Sequence, residues 1–154
     1  MSKFVKLIAS LAIPQLIGGI GAFFTISSVQ SWYLTINRPS WNPPNWLFGP
    51  VWTLLYILMG IASFLIWKSE HPDRKKLMTL YFVQLFLNGL WSPAFFGAQS
   101  PMLGLVVILP LWMMILACII HFKMISKWAS FLMVPYLLWV SFATALNAAI
   151  WWLN

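Results

Sequence analysis

The sequence predicts an all-α integral membrane protein, a five-transmembrane-helix bundle with a long structured first loop. Three observations carry that prediction. Of the 154 residues, 62% are hydrophobic and only 7% charged, a balance too apolar for a soluble domain of this size. Five apolar segments, at about 5–26, 47–67, 77–96, 102–122 and 131–153, each run roughly 20 residues, enough for a helix to cross a hydrocarbon core of about 30 Å. The basic residues are segregated. Lys3, Lys6, Lys68, Arg74, Lys75, Lys76, Lys123 and Lys127 fall at one set of segment ends, and Arg38 alone falls at the other. That asymmetry places the N-terminus on the cytoplasmic side of a bacterial-type cell membrane, with the first loop and the C-terminus outside. The net charge of +7 is therefore a topology signal and not a nucleic-acid footprint. The whole of 1–154 reads as one membrane domain.

The first segment starts with Lys3 and Lys6, and its apolar run is long with no evident cleavage site. This predicts a retained helix and not a signal peptide. Its Pro14, Gly18, Gly19, Gly21, Ala22 and Thr25 allow close approach by a neighbour. The first loop, 27–46, is neither a span nor a polar linker. Trp32, Tyr33, Trp41 and Trp46 are interleaved with Pro39, Pro43 and Pro44, and Trp52 follows Pro50. Prolines fix φ and push their preceding residues toward extended backbone, so this stretch is expected to be stiff and non-helical, an aromatic lid that flows into the second helix. Pro50 is tolerable in that helix's first turn.

The third segment carries Gln84, Asn88 and Trp91 at i, i+4 and i+7, which makes one face polar and aromatic. The fourth has almost no polar side chain and is expected to face lipid, kinked at Pro110. The fifth aligns Trp139, Phe142, Ala143, Leu146, Asn147 and Ile150 on one stripe, with a gap at Ala143 between large rings.

Acid–base chemistry gets little support. Glu70 and Asp73 are the only acids, both in the charged second loop, so no carboxylate pair or ion-coupling carboxylate lies within a span. His71 and His121 have no metal-ligand partner, and Cys118 stands alone as a small packed residue; no metal site is expected. Asn88 and Asn147 either glue helices together or sit low in an aromatic-walled pocket, and the two roles are compatible. An interfacial aromatic belt accounts for Trp67, Trp112, Trp128, Trp151 and Trp152 but not for the tryptophans set among prolines. Rigid rings near a neutral amide suit a large flat hydrophobic ligand such as a tetrapyrrole or a sterol.

These residues resemble a known family. The run Trp32-Tyr33, Arg38-Pro39-Ser40-Trp41-Asn42-Pro43-Pro44-Asn45-Trp46, Pro50-Val51-Trp52, Leu55-Tyr56 and Met59-Gly60 is similar to that of the translocator proteins, also called tryptophan-rich sensory proteins or peripheral-type benzodiazepine receptors. Gln84-Leu85, Leu87-Asn88, Trp91-Ser92-Pro93 and Phe95-Phe96-Gly97-Ala98 resemble that family's third-helix signature. Pro135-Tyr136, Trp139, Phe142-Ala143-Thr144 and Leu146-Asn147 resemble its fifth.

The resemblance implies a five-helix bundle that often forms a homodimer, with a ligand pocket under the first loop. Gly18, Ala22 and Gly89 are candidates for the dimer contact. Implied ligands are porphyrins (protoporphyrin IX, haem) and synthetic benzodiazepine-type or isoquinoline carboxamide drugs; no cofactor is required. Carried over residue by residue, ligand-binding positions are Tyr33, Pro43, Pro44, Trp46, Val51, Trp52, Tyr56, Asn88, Trp91, Trp139, Phe142, Ala143 and Asn147. Trp52 and Trp139 match tryptophans implicated in light- and oxygen-dependent protoporphyrin breakdown, which would be an enzyme-like role without acid–base residues. Sterol-binding members end the fifth helix with a Leu/Val, Tyr, Lys/Arg pattern. Leu146 here is followed by neither Tyr nor a basic residue, which argues against cholesterol binding through that element. Passive ligand translocation is disfavoured, since no repeat-based design or coupling charge is visible.

Overall fold

The computed structural model describes residues 1–154, and every regular element in it is helical. Helix α1 spans Lys3–Val29 and α2 spans Trp32–Thr35, followed by α3 at Asn45–Trp67 and α4 at Arg74–Ser92. A π-helical turn, Pro93–Gly97, continues α4 and leads to α5 at Pro101–Phe122, α6 at Lys127–Leu132 and α7 at Val134–Leu153. Serine hydroxyls start three of these helices: Val5, Leu103 and Ala129 donate their backbone N–H to Ser2, Ser100 and Ser126 Oγ, each at 3.2 Å.

Four stretches are long and apolar enough to cross a membrane: Lys3–Val29, Asn45–Trp67, Pro101–Phe122 and Lys127–Leu153. Arg74–Ser92 falls short of that measure, because Arg74, Lys75 and Lys76 fill its first turn and Gln84 and Asn88 lie further along. The first loop is also less irregular than expected. Helix α1 runs three residues past Ile26, α2 forms inside the loop, and α3 begins at Asn45, directly after Pro44. Pro43 and Pro44 are compatible with that start, since proline stiffens the chain before a helix and lacks only an N–H the first turn leaves unpaired anyway. The fifth apolar segment is interrupted at Met133, two residues before Pro135, whose missing N–H cannot close onto Phe131.

Helix α1 packs on α3 and α4, α4 on α5, and α5 on α7, while α6 lies against α3. Helix α5, expected from its composition to face lipid, keeps one exposed apolar face, with Met102, Val106, Leu109, Met113 and Ile120, but packs its other face into the bundle. It buries Gly104, Ile108, Leu111, Ile115, Cys118, Ile119 and Phe122 between α4 and α7, and it continues unbroken through Pro110. The peripheral helix is α1, which buries only Ser10, Pro14 and Ser28. Hydropathy reports how apolar a helix is, not which of its faces a neighbour covers. The main core runs through Met59, Ala62 and Ile66 of α3, Ile115 and Phe122 of α5, and Tyr136 and Val140 of α7. The backbones of α3 and α7 stay apart and meet through side chains, whereas α6 closes onto α3, so the bundle is tight at the Lys-rich end and splayed at the end of the first loop.

Close approach of α1 and α3 hinges on Gly60, where an added Cβ would stand 2.6 Å from the Ser10 carbonyl oxygen, a backbone atom that cannot swing aside. Gly60→Ala is therefore expected to destabilise the protein by about 1–3 kcal/mol. Gly19→Ala, whose Cβ meets nothing within 4 Å, should leave stability equal or higher. Thermal unfolding in detergent distinguishes the two.

Candidate functional site

The splayed end encloses a cavity of about 580 Å³. Nine aromatic residues line it: Tyr33, Trp46, Phe48, Trp52, Tyr56, Trp91, Phe95, Phe96 and Trp139. No Lys, Arg, His, Asp or Glu side chain does. The volume suits a drug-sized or larger flat ligand held mainly by apolar contact.

Beneath it lies a hydrogen-bonded floor. Tyr56 Oη on α3 donates to Asn88 Oδ1 on α4 at 2.9 Å, Asn88 Nδ2 donates to Tyr136 Oη on α7 at 2.8 Å, and Tyr136 Oη donates to Gln84 Oε1 at 2.8 Å. A second tie sits to one side, where Trp91 Nε1 donates to Asn147 Oδ1 at 3.0 Å and Asn147 Nδ2 donates to the Pro101 carbonyl at 2.7 Å. Both asparagines are thus engaged with protein partners while also bordering the cavity. The rings above are set by packing. Trp52 stacks on Tyr56 with centroids 5.5 Å apart, and its other contact is edge-on to Tyr136 at 6.2 Å. Trp139 meets Phe48 at 6.1 Å and Phe142 at 5.5 Å, and its buried Nε1 has no partner within the protein.

Nine of the thirteen residues singled out from the sequence line this cavity: Tyr33, Trp46, Trp52, Tyr56, Asn88, Trp91, Trp139, Ala143 and Asn147. Pro43, Pro44, Val51 and Phe142 lie outside its lining. Phe142 instead receives Trp41 edge-on at 5.7 Å and backs Trp139. Trp32 is outside the lining and meets Phe95 edge-on at 5.7 Å. The wall that sequence reasoning missed is α1, which contributes Gln15, Gly18, Gly19, Gly21, Ala22 and Thr25. Its small residues signalled close packing, and Gly18 fits that reading, since a Cβ there would clash with the Tyr56 ring. Gly19 instead opens the wall. The π-helical turn brings in Phe95 and Phe96, and Ser28 Oγ donates to the Phe96 carbonyl at 2.7 Å.

The roof is held by Tyr33. Its ring is buried against Phe95 and Phe96, its hydroxyl donates to Asn42 Oδ1 at 2.7 Å, and the Arg38 guanidinium lies 4.9 Å above its face. Burial pushes the Tyr33 pKa above its ordinary value, and the Arg38 cation offsets only part of that. The phenol therefore stays protonated at neutral pH and keeps its bond to Asn42. Arg38 itself has no carboxylate partner.

The family model described as TspO/MBR family matches residues 10–153. A "Tryptophan-rich protein TspO" of Archaeoglobus fulgidus is 47% identical over 152 residues, covering 99% of both chains. One of the same name from Chlorobaculum tepidum is 46% identical, covering 90% of this chain and 89% of its own. The human "Translocator protein" is 38% identical, covering 90% of this chain and 83% of its own.

If the floor sets helix spacing, removing its central hydroxyl should weaken the fold. Tyr136→Phe strands Asn88 Nδ2 and Gln84 Oε1 and should lower unfolding stability by about 1–3 kcal/mol. Thr79→Ala removes only a bond to the Lys75 carbonyl of its own helix and should stay within about 0.5 kcal/mol. Equal loss in both variants, measured by unfolding in detergent, would contradict the role given to the floor.

Proposed function

The chain belongs to the TspO/MBR family, and from that premise we propose that it binds porphyrins, protoporphyrin IX or haem, in the cavity under its first loop. In the same reading α4 is a fifth span, its Lys-rich end cytoplasmic and the first loop outside. Benzodiazepine-type and isoquinoline carboxamide ligands would occupy the same space. The observation that carries the reading is an uncharged, aromatic-walled cavity lined by Trp52 and Trp139, with the Tyr56 hydroxyl and the Asn88 amide of its floor engaged with protein partners. Such a site recognises a flat apolar ring by shape and leaves any acidic substituents to the rim, where Arg38 is the one formal charge of the first loop.

A second reading, light-dependent oxidation of bound protoporphyrin by dissolved oxygen, is favoured by Trp52 and Trp139 lining one cavity. Electron-rich indoles beside a photosensitiser need no acid–base partner. Illumination of the complex should then give products different from those of free porphyrin bleached in detergent, and Trp52→Phe with Trp139→Phe should abolish the difference.

Protoporphyrin IX titrated into purified protein should quench tryptophan fluorescence. Ala143→Leu, which fills the gap on α7, should weaken binding about tenfold, and so should the Trp52→Ala, Trp139→Ala pair. Arg38→Gln should weaken protoporphyrin IX about fivefold and leave its dimethyl ester unchanged, the effect of one partly solvated charge pair. Unaltered affinity in the Ala143 and double tryptophan variants would place the ligand elsewhere.

A further inference from the structure

The strap at 36–44 joins one lining residue, Tyr33, to the next two, Asn45 and Trp46, and it is tied to the bundle at a point the cavity does not include. The Asn154 carboxamide pairs with the backbone of Asn37 as a neighbouring strand would: Oδ1 accepts the Asn37 N–H at 3.0 Å and Nδ2 donates to the Asn37 carbonyl at 2.8 Å. Nδ2 also donates to the Ile150 carbonyl at 2.7 Å, which fixes the side chain to the last turn of α7. Asn37 returns one bond, from Nδ2 to the Leu153 carbonyl at 3.2 Å. Three hydrogen bonds thus link residues more than a hundred positions apart, and both partners are exposed. Elsewhere the strap is held at its start by Ile36, which packs against the cluster of Tyr33, Phe95, Phe96, Leu146 and Ile150, by the edge-on contact of Trp41 with Phe142, and by contacts among its own residues and Tyr33.

We propose that Asn154 is a positioning residue: its carboxamide fastens the first loop to α7, and release of this clasp governs how fast the loop lifts from the cavity. The second half of that statement rests on the ligand-binding reading above; the first does not. The chemistry is specific to an amide. Aspartate at 154 would keep the acceptor but set a negative charge against two carbonyl oxygens, and alanine would remove both groups. Because Asn37 is gripped mainly through its backbone, its own side chain should matter less.

The test uses the full chain in nanodiscs, with two readouts. Hydrogen exchange across 36–44 should speed about tenfold in Asn154→Ala and in Asn154→Asp, and much less in Asn37→Ala. Stopped-flow with protoporphyrin IX should show association and dissociation rates both rising about tenfold in the two Asn154 variants, with affinity little changed, because the clasp touches no ligand. Unaltered exchange in Asn154→Ala overturns the clasp whatever the ligand does. Faster exchange with wild-type ligand rates overturns its control of access. Should wild-type protein bind no porphyrin, the functional reading fails, and the exchange readout alone supports or overturns the fastening.

Discussion

The bundle depends on a chain of neutral hydrogen bonds crossing its interior from Tyr56 to Asn88 to Tyr136 to Gln84. In a membrane, apolar side chains gain little by leaving lipid for a neighbouring helix, so spacing has to be set by packing and by polar groups with nowhere else to bond. Three helices, α3, α4 and α7, are tied at this level. Below it, Met59, Ile66, Ile115 and Phe122 fill the interior and α6 closes against α3. Above it, α3 and α7 part, and the space between them is the cavity.

The cavity follows from residues too small or too large to fill that space. Gly18 lets the Tyr56 ring lie against α1, Gly19 leaves the wall open, and Ala143 leaves a gap on α7 between Trp139 and Asn147. The rings around the cavity are fixed by their neighbours, Trp41 edge-on to Phe142 and Phe48 edge-on to Trp139, with Trp52 stacked on Tyr56 and Trp91 on Phe95. Tyr33, protonated and clamped between Arg38 and Asn42, carries the loop across the top. Floor, walls and roof are thus built from neutral groups, and the basic residues other than Arg38 stay at the opposite ends of the helices.

Much of this was legible in the sequence, for physical reasons. Run length and apolar composition located the helices, because a membrane span needs about twenty uninterrupted apolar residues. The period of the α-helix put Gln84, Asn88 and Trp91 on one face, and the resemblance to a known family selected nine of the 29 lining residues. What was not legible depends on tertiary contact. Composition assigned α5 to the lipid, yet at Gly104 it packs closely against Phe95 and Asn147. Gly19 looks like a packing residue in sequence and proves to be open cavity wall, whereas Gly21 both lines the cavity and lies close to Ser92. Pro43 and Pro44 shape the loop without lining the site. The pairing of Asn37 with Asn154 has no local signal at all, since nothing in either neighbourhood announces a partner so distant in the chain.

The central claim is that a flat ligand lies between Trp52 and Trp139, above an intact Tyr56–Asn88–Tyr136 floor. An experimental structure of the protein with protoporphyrin IX tests it most directly. The account predicts the macrocycle inside the cavity, its propionates at the rim on the Arg38 side, and the three floor hydrogen bonds unchanged. A macrocycle on the outer, lipid-facing surface, or one seated only after those bonds have broken, would contradict it.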